Sequence, residues 1–257
     1  MSENLDKLIN IIAKLRAPDG CKWDREQTHT SLKQNFIEET YEALDAIDAN
    51  DMTHLKEELG DVLLQVVLHA QIAKEEGAFN IDDVADGISK KLIHRHPHVF
   101  GDVKVTSTQE ILDNWEKLKK EEKPHRKSVM DGISSSLPAL FGAYKISKKA
   151  VKVGFEWPNI ESLYACVYSE LDEFKEAVEE GNQEHIEEEM GDILFAIVNL
   201  ARWYKINPEI ALASANKKFI KRFRKMEELT TKNIEENSIE EFDKLWKAAK
   251  KSIKEEV

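Results

Sequence analysis

Four carboxylates in the first half of the chain, Glu39, Glu42, Glu58 and Asp61, return in the second half as Glu170, Glu173, Glu189 and Asp192, each displaced by 131 positions. Within each set the acids mirror about a centre, Asn50 in the first copy and Gly181 in the second. A helix, a turn at that centre and an antiparallel helix bring residues equidistant from the turn to one height. Acids three apart on a helix also share a face. The four carboxylates of each copy are therefore expected to meet at two adjacent levels. Two carboxylates about 4 Å apart repel by roughly 4 kcal/mol at an effective dielectric near 20, so such a group protonates, splays apart or takes a cation. All-oxygen donors suit Mg²⁺, with Mn²⁺ as the alternative, over Zn²⁺, which takes His or Cys. One copy alone reads most simply as a solvated acidic face. Its duplication with mirror symmetry favours a metal site with positions open to substrate phosphates.

Two basic pairs accompany the acids. Lys91 and Arg95 lie in Lys91-Leu92-Ile93-His94-Arg95, and Lys218 and Arg222 in Lys218-Phe219-Ile220-Lys221-Arg222, now at an offset of 127. Spaced i, i+4 on a helix, both members of a pair can reach one anion, Arg by a forked contact and Lys as a point charge. Exposed basic residues usually serve solubility. Repeated beside repeated acids, they suit a di- or triphosphate, whose oxygens an ion and the basic side chains would share. Trp115 and Trp246, one in the last helix of each half, either stack on a nucleobase of any kind or anchor that helix in the core.

Other chemistries are less well supplied. Di-iron bundles place Glu-x-x-His strings on facing helices. The two strings here are Glu26/His29, without a counterpart in the second half, and Glu122/His125, which spans Pro124. His94, His96 and His98 read as a polar loop in which Pro97 stops the helix, and His69 as a core histidine. Cys21 and Cys166 show no metal or CxxC spacing and are expected to be reduced thiols of a cytosolic protein. A non-hydrolytic iron or manganese carboxylate bundle and a scaffold with merely solvated acids stand as alternatives, and the duplicated Lys/Arg pairs speak against both.

The elements that must hold these residues are helices. Charged residues make up 33% and apolar residues 41% of the 257, with only ten Gly and six Pro, a balance that favours long amphipathic helices over strands. Helices are expected over residues 5–16, 32–47 and 53–75, with the hairpin repeated over 163–179 and 186–204. Gly20-Cys21-Lys22-Trp23 and Gly154-Phe155-Glu156-Trp157 punctuate the two halves alike, and the former is expected to be a loop. Ser107/Glu110 and Ser238/Glu241 have capping-box spacing at the start of each Trp-bearing helix. We expect an all-α fold of two tandem helical bundles, residues 1–123 and 137–257, joined by a linker over 124–136. The net charge of -12 disfavours a nucleic-acid surface, and the absence of an 18-residue apolar run or a signal-like start predicts a soluble, cytoplasmic protein without membrane contact.

Together these strings resemble the MazG family of nucleoside triphosphate pyrophosphohydrolases, within the all-α NTP pyrophosphatase superfamily. The carriers are Glu38-Glu39-Thr40-Tyr41-Glu42 with Glu58-Leu59-Gly60-Asp61, His96-Pro97-His98-Val99-Phe100, and Ser136-Leu137-Pro138-Ala139-Leu140. The second half adds Gly154-Phe155-Glu156-Trp157 and Glu187-Glu188-Glu189-Met190-Gly191-Asp192. The resemblance spans essentially the whole chain. It implies Mg²⁺-dependent hydrolysis of NTPs and dNTPs to monophosphate and pyrophosphate, with broad base tolerance, in a homodimer. It also implies metal ligands at Glu170, Glu173, Glu189 and Asp192 and phosphate contacts at Lys218 and Arg222. Nucleotide contacts would fall on residues 166–170, including Cys166 and Glu170, and on His185 and Trp246. The second copy departs at one point, because Ser169 stands where the first copy has Glu38. Water activation would then fall to Glu38 in the first site and to Glu188 or Glu189 in the second.

Overall fold

The computed structural model describes residues 3–122 and 127–255, and the chain divides into two compact units, Met1–Pro124 and His125–Val257. No strand occurs among the described residues, so the all-α expectation holds. No helix among them is long and apolar enough to cross a membrane.

The first unit runs through α1 (Glu3–Arg16), α2 (Lys22–Glu26), α3 (Lys33–Asp48), α4 (Met52–Glu75), α5 (Ile81–Arg95), α6 (Pro97–Phe100) and α7 (Thr108–Glu121). The stripe Leu8, Ile9, Ile12 and Leu15 faces inward because it recurs at helical spacing. Ile12 joins Leu32, Val67, Leu68 and Ile72 in the core, and the other three pack against them. The second unit contains α8 (Ala139–Val151), α9 (Ile160–Glu180), α10 (Gln183–Trp203), α11 (Pro208–Leu229) and α12 (Ile239–Glu255). Leu163 and Val198 are fully buried there.

Hairpins α3/α4 and α9/α10 dominate the packing of their units, and the mirror centres of the acids are their turns. Asn50 has φ 53° and Gly181 φ 72°, the left-handed conformation that closes a helix and that Gly and Asn adopt most readily. Asp51 then accepts from the Thr53 and His54 N–H groups at 3.0 Å each, and Asn182 from that of Glu184 at 3.1 Å. These caps satisfy free donors at the start of the second helix.

The Gly-x-x-Trp segments are tied down by arginine, from a different helix in each unit. Arg16 on α1 grips Glu75 through Nε at 3.1 Å and Nη2 at 2.8 Å, while Nη1 donates to the carbonyls of Asp24 and Gln27. Those carbonyls lie at the end of α2, so part of the expected 20–23 loop is helical. Arg202 on α10 holds both carboxylate oxygens of Glu156 at 2.6 Å and donates from Nε to Ser147 Oγ at 2.6 Å. In the repeat register Ser147 replaces Arg16, and Arg202 replaces Gln71.

The Ser238/Glu241 capping box forms, with N–H contacts of 3.3 Å and 2.7 Å. Lys232 foremost, then the Ser238 N–H, pull the Glu241 carboxyl down to about 2. At the first unit's counterpart Ser107 accepts from Glu110 N–H at 3.2 Å, and the Glu110 carboxylate reaches back foremost to Thr106 N–H at 2.8 Å. Of the segment expected to be a linker, 124–126 lie outside the described residues, as does the His125 end of the Glu122/His125 string. Lys149 on α8 ties down the stretch ahead of that helix, donating to the carbonyls of Val129 and Asp131 at 2.8 Å each.

His69 is satisfied by a partner 40 residues away. Its Nδ1 lies 2.7 Å from His29 Nδ1, and the rings are parallel within 2° at a centroid separation of 5.0 Å. One proton serves the two nitrogens, so the pair is incompatible with a charge on both rings. Burial first, then the His29 charge, hold His69 below its ordinary value. A lowered folded-state value means that the unfolded chain binds more protons between that value and about 6.5. The pair's stabilisation is thus present above about pH 6.5 and is lost as pH falls through the lowered value. Thermal melts of the first unit are expected to shift downward between pH 7.5 and pH 5. His69→Leu, which supplies the residue found at Leu200, should flatten that dependence.

Candidate functional site

Each hairpin delivers two acids from each of its helices. Glu39, Glu58 and Asp61 offer oxygens within 4.8 Å of one another, and so do Glu170, Glu173 and Glu189. The fourth acid of each set is close by. Glu42 is within hydrogen-bond reach of Glu58, and the charge of Asp192 acts on Glu170.

Glu58 and Glu189 are the buried members, 6% and 9% exposed. In both, Oε2 is buried without a hydrogen-bond partner. A histidine one turn earlier engages the other oxygen: His54 Nε2 lies 2.8 Å from Glu58 Oε1, and His185 Nε2 lies 3.2 Å from Glu189 Oε1. Burial, then the charge of Glu42, raises the Glu58 carboxyl above the ordinary range, with His54 opposing. Glu39 is raised by burial and then by Asp61, and Glu170 by burial and then by Glu173. Converging acids with an orphaned buried oxygen fit a hard divalent cation, which would replace the missing partner and cancel the repulsion.

The neighbouring residues differ between the copies. Glu38 is exposed and accepts from Gln34 Nε2 at 2.9 Å. Ser169, at the matching position, donates to Glu173 Oε1 at 2.8 Å and so helps to hold that acid. Cys166 places Sγ 3.7 Å from Glu170 Oε1, and its thiol is raised by burial and then by Glu170. Glu188 is exposed. His185 is raised, mostly by its hydrogen bond to Glu180 at 2.9 Å.

Among the described residues the basic pairs make no direct contact with the acids: no hydrogen bond or ion pair joins Lys91, Arg95, Lys218 or Arg222 to the acid sets, and α5 and α11 pack little on α4 and α10. Arg95 is forked on Glu122, with Nε to Oε1 at 2.9 Å and Nη2 to Oε2. It also sits 5.3 Å from the Trp115 ring. Arg222 lies 5.6 Å from the Trp246 ring, which Phe219 approaches at 5.2 Å.

The profile of the MazG nucleotide pyrophosphohydrolase domain matches residues 27–100 and again 159–227. The chain belongs to the MazG family. It is 49% identical over 249 residues to the nucleoside triphosphate pyrophosphohydrolase/pyrophosphatase MazG of Thermotoga maritima, covering 95% of each chain. It is 43% identical over 255 residues to the nucleoside triphosphate pyrophosphohydrolase of Escherichia coli, covering 96% of this chain and 97% of that one. A crystal structure of a mazG-related protein from Thermotoga maritima matches 45% of this chain and 98% of its own at 27% identity and a TM-score of 0.40.

Within this MazG chain both family segments contain one acidic hairpin. His54 is a candidate site residue that the motifs of the acids and bases did not single out, although the repeat signals it. It stands 131 positions before His185, and it meets the buried acid of its hairpin in the same way.

Proposed function

We propose that the chain hydrolyses nucleoside triphosphates, ribo and deoxyribo alike, to the monophosphate and pyrophosphate, with Mg²⁺ held by the acid sets. The observation that carries this reading is the orphaned Oε2 of Glu58 and Glu189, buried among converging carboxylates. Such an oxygen, unpartnered beside three other acids, supports a bound cation. When bound, the ion supplies charge neutralisation at the phosphates and acidifies water.

The chain's own groups do the rest. Glu39, Glu42, Glu58 and Asp61, with Glu170, Glu173, Glu189 and Asp192, fix the ion, while His54 and His185 orient the buried acids. Lys218 and Arg222, and Lys91 and Arg95 in the first unit, hold phosphate oxygens and stabilise the charge on departing pyrophosphate. A water oxygen bonds to the α-phosphorus as the bond from that phosphorus to the bridging oxygen breaks. The water's proton passes to Glu38 in the first site and to Glu188 or Glu189 in the second. Cys166, Glu170, His185 and Trp246 line the nucleotide position.

A second copy of the chain completes the arrangement. Ile37, Tyr41, Leu44, Leu59 and Leu63 on α3/α4, and Val84, Ile88 and Leu92 on α5, are exposed apolar residues of the kind that an interface buries. Homodimer formation would cover them.

Incubated with ATP and Mg²⁺, the chain is expected to release AMP and pyrophosphate and to stop when EDTA is added. ADP with phosphate, or no turnover, overturns the reading, and copurified iron with ferroxidase activity would favour an iron bundle in its place.

A further inference from the structure

Arg95 of the first unit's basic pair already grips an anion, and that anion belongs to the chain. Glu122, just beyond α7, accepts from Nε and Nη2 of Arg95 in a forked contact. The positive charges of Lys91 and His94 act on the same carboxylate. Arg95 is only 10% exposed in this pair, with Trp115 against its guanidinium. A guanidinium engaged by both oxygens of one carboxylate has its forked donor edge occupied.

The second unit repeats the Arg-on-Trp contact through Arg222 and Trp246. It does not repeat the acid, because Ile253 stands where the register of Trp115 and Trp246 puts the counterpart of Glu122. Among the described residues Arg222 makes no ion pair. The carboxylate beside the arginine is thus present in the first unit and absent from this register of the second.

We infer that Glu122 is an internal competitor for the phosphate position of the N-terminal unit: a triphosphate must displace its carboxylate from Arg95, beside Lys91, whereas Arg222 makes no ion pair among the described residues. This rests on the triphosphate reading above. Only the fraction of molecules with the pair released can bind, so apparent affinity falls by that fraction. The two units would then differ in affinity through Glu122, which need not touch the nucleotide. The competition is electrostatic, so rising ionic strength weakens both contestants.

The test is a calorimetric titration of the full chain with α,β-methylene ATP and Mg²⁺, in a background carrying Lys218→Ala and Arg222→Ala so that the second basic pair is absent. Glu122→Gln is expected to bind at least about fivefold more tightly than this parent, and adding Arg95→Ala should erase the gain. Equal or weaker binding by Glu122→Gln overturns the inference, as does the absence of binding in every variant. If Glu122 only braced α5 against α7, Glu122→Gln would lower the melting temperature and leave affinity unchanged. ATP hydrolysis by the unsubstituted chain is measured alongside. If it fails, the functional reading falls and the inference falls with it. If it proceeds and Glu122→Gln changes nothing, only the internal competitor is lost.

Discussion

Glu189→Gln is expected to cut pyrophosphate release by about a hundred- to a thousandfold, because loss of one anionic ligand removes several kcal/mol of transition-state stabilisation. The same substitution should make the metal-free protein more stable. Glu189 is buried with Oε2 unpartnered, and the amide keeps an acceptor for His185 while offering N–H donors toward Glu170 and Glu173. Relieving one buried unsatisfied group and one repulsion is worth about 1 kcal/mol, or about 3 °C in melting temperature. Both quantities are best read with Asp61→Asn also present, so that the first site does not mask the loss. Melts in EDTA and pyrophosphate release at fixed Mg²⁺ measure the two effects. A variant that loses activity and stability together would make Glu189 a packing residue and sink the metal assignment.

Arg202→Ala carries the largest stability effect we anticipate, about 3 kcal/mol from the C-terminal unit. The guanidinium binds both oxygens of Glu156 and the Ser147 hydroxyl while only 9% exposed. Its removal strands a half-buried carboxylate against α8 and α10. The corresponding transition should fall by about 10 °C, with the first unit's transition unmoved. Arg202→Lys should recover little, since a point charge cannot reproduce the fork. A loss below about 1 kcal/mol would show that the loop is held by its backbone alone.

Periodicity decides which features are legible in the chain. The acids share a helix face and a repeat, so their convergence, the turns at Asn50 and Gly181 and the all-α class can all be read from spacing. His54 carries the same 131-residue signal as the acids but is easily overlooked, because one histidine beside a glutamate is commonplace. The His29/His69 pair and the Arg95–Glu122 pair join residues 40 and 27 apart, and neither has a counterpart in the other copy, so no pattern in the chain announces them. The short helix α2 depends on carbonyls that Arg16 satisfies from another element. Contacts of that kind are products of packing, which local propensity does not encode.

The two arginine clamps also bear on how freely the halves can be exchanged. A chimera pairing α1 with α10 would set Arg16 opposite Arg202, two guanidiniums at one buried position. The reciprocal chimera, α8 with α4, would set Ser147 opposite Gln71 and leave the loop with no cation at all. Each duplicate has therefore become a closed set of parts, and transfer of a single helix between them, by recombination or by design, is penalised from either direction even though the four acids of each hairpin still match position for position.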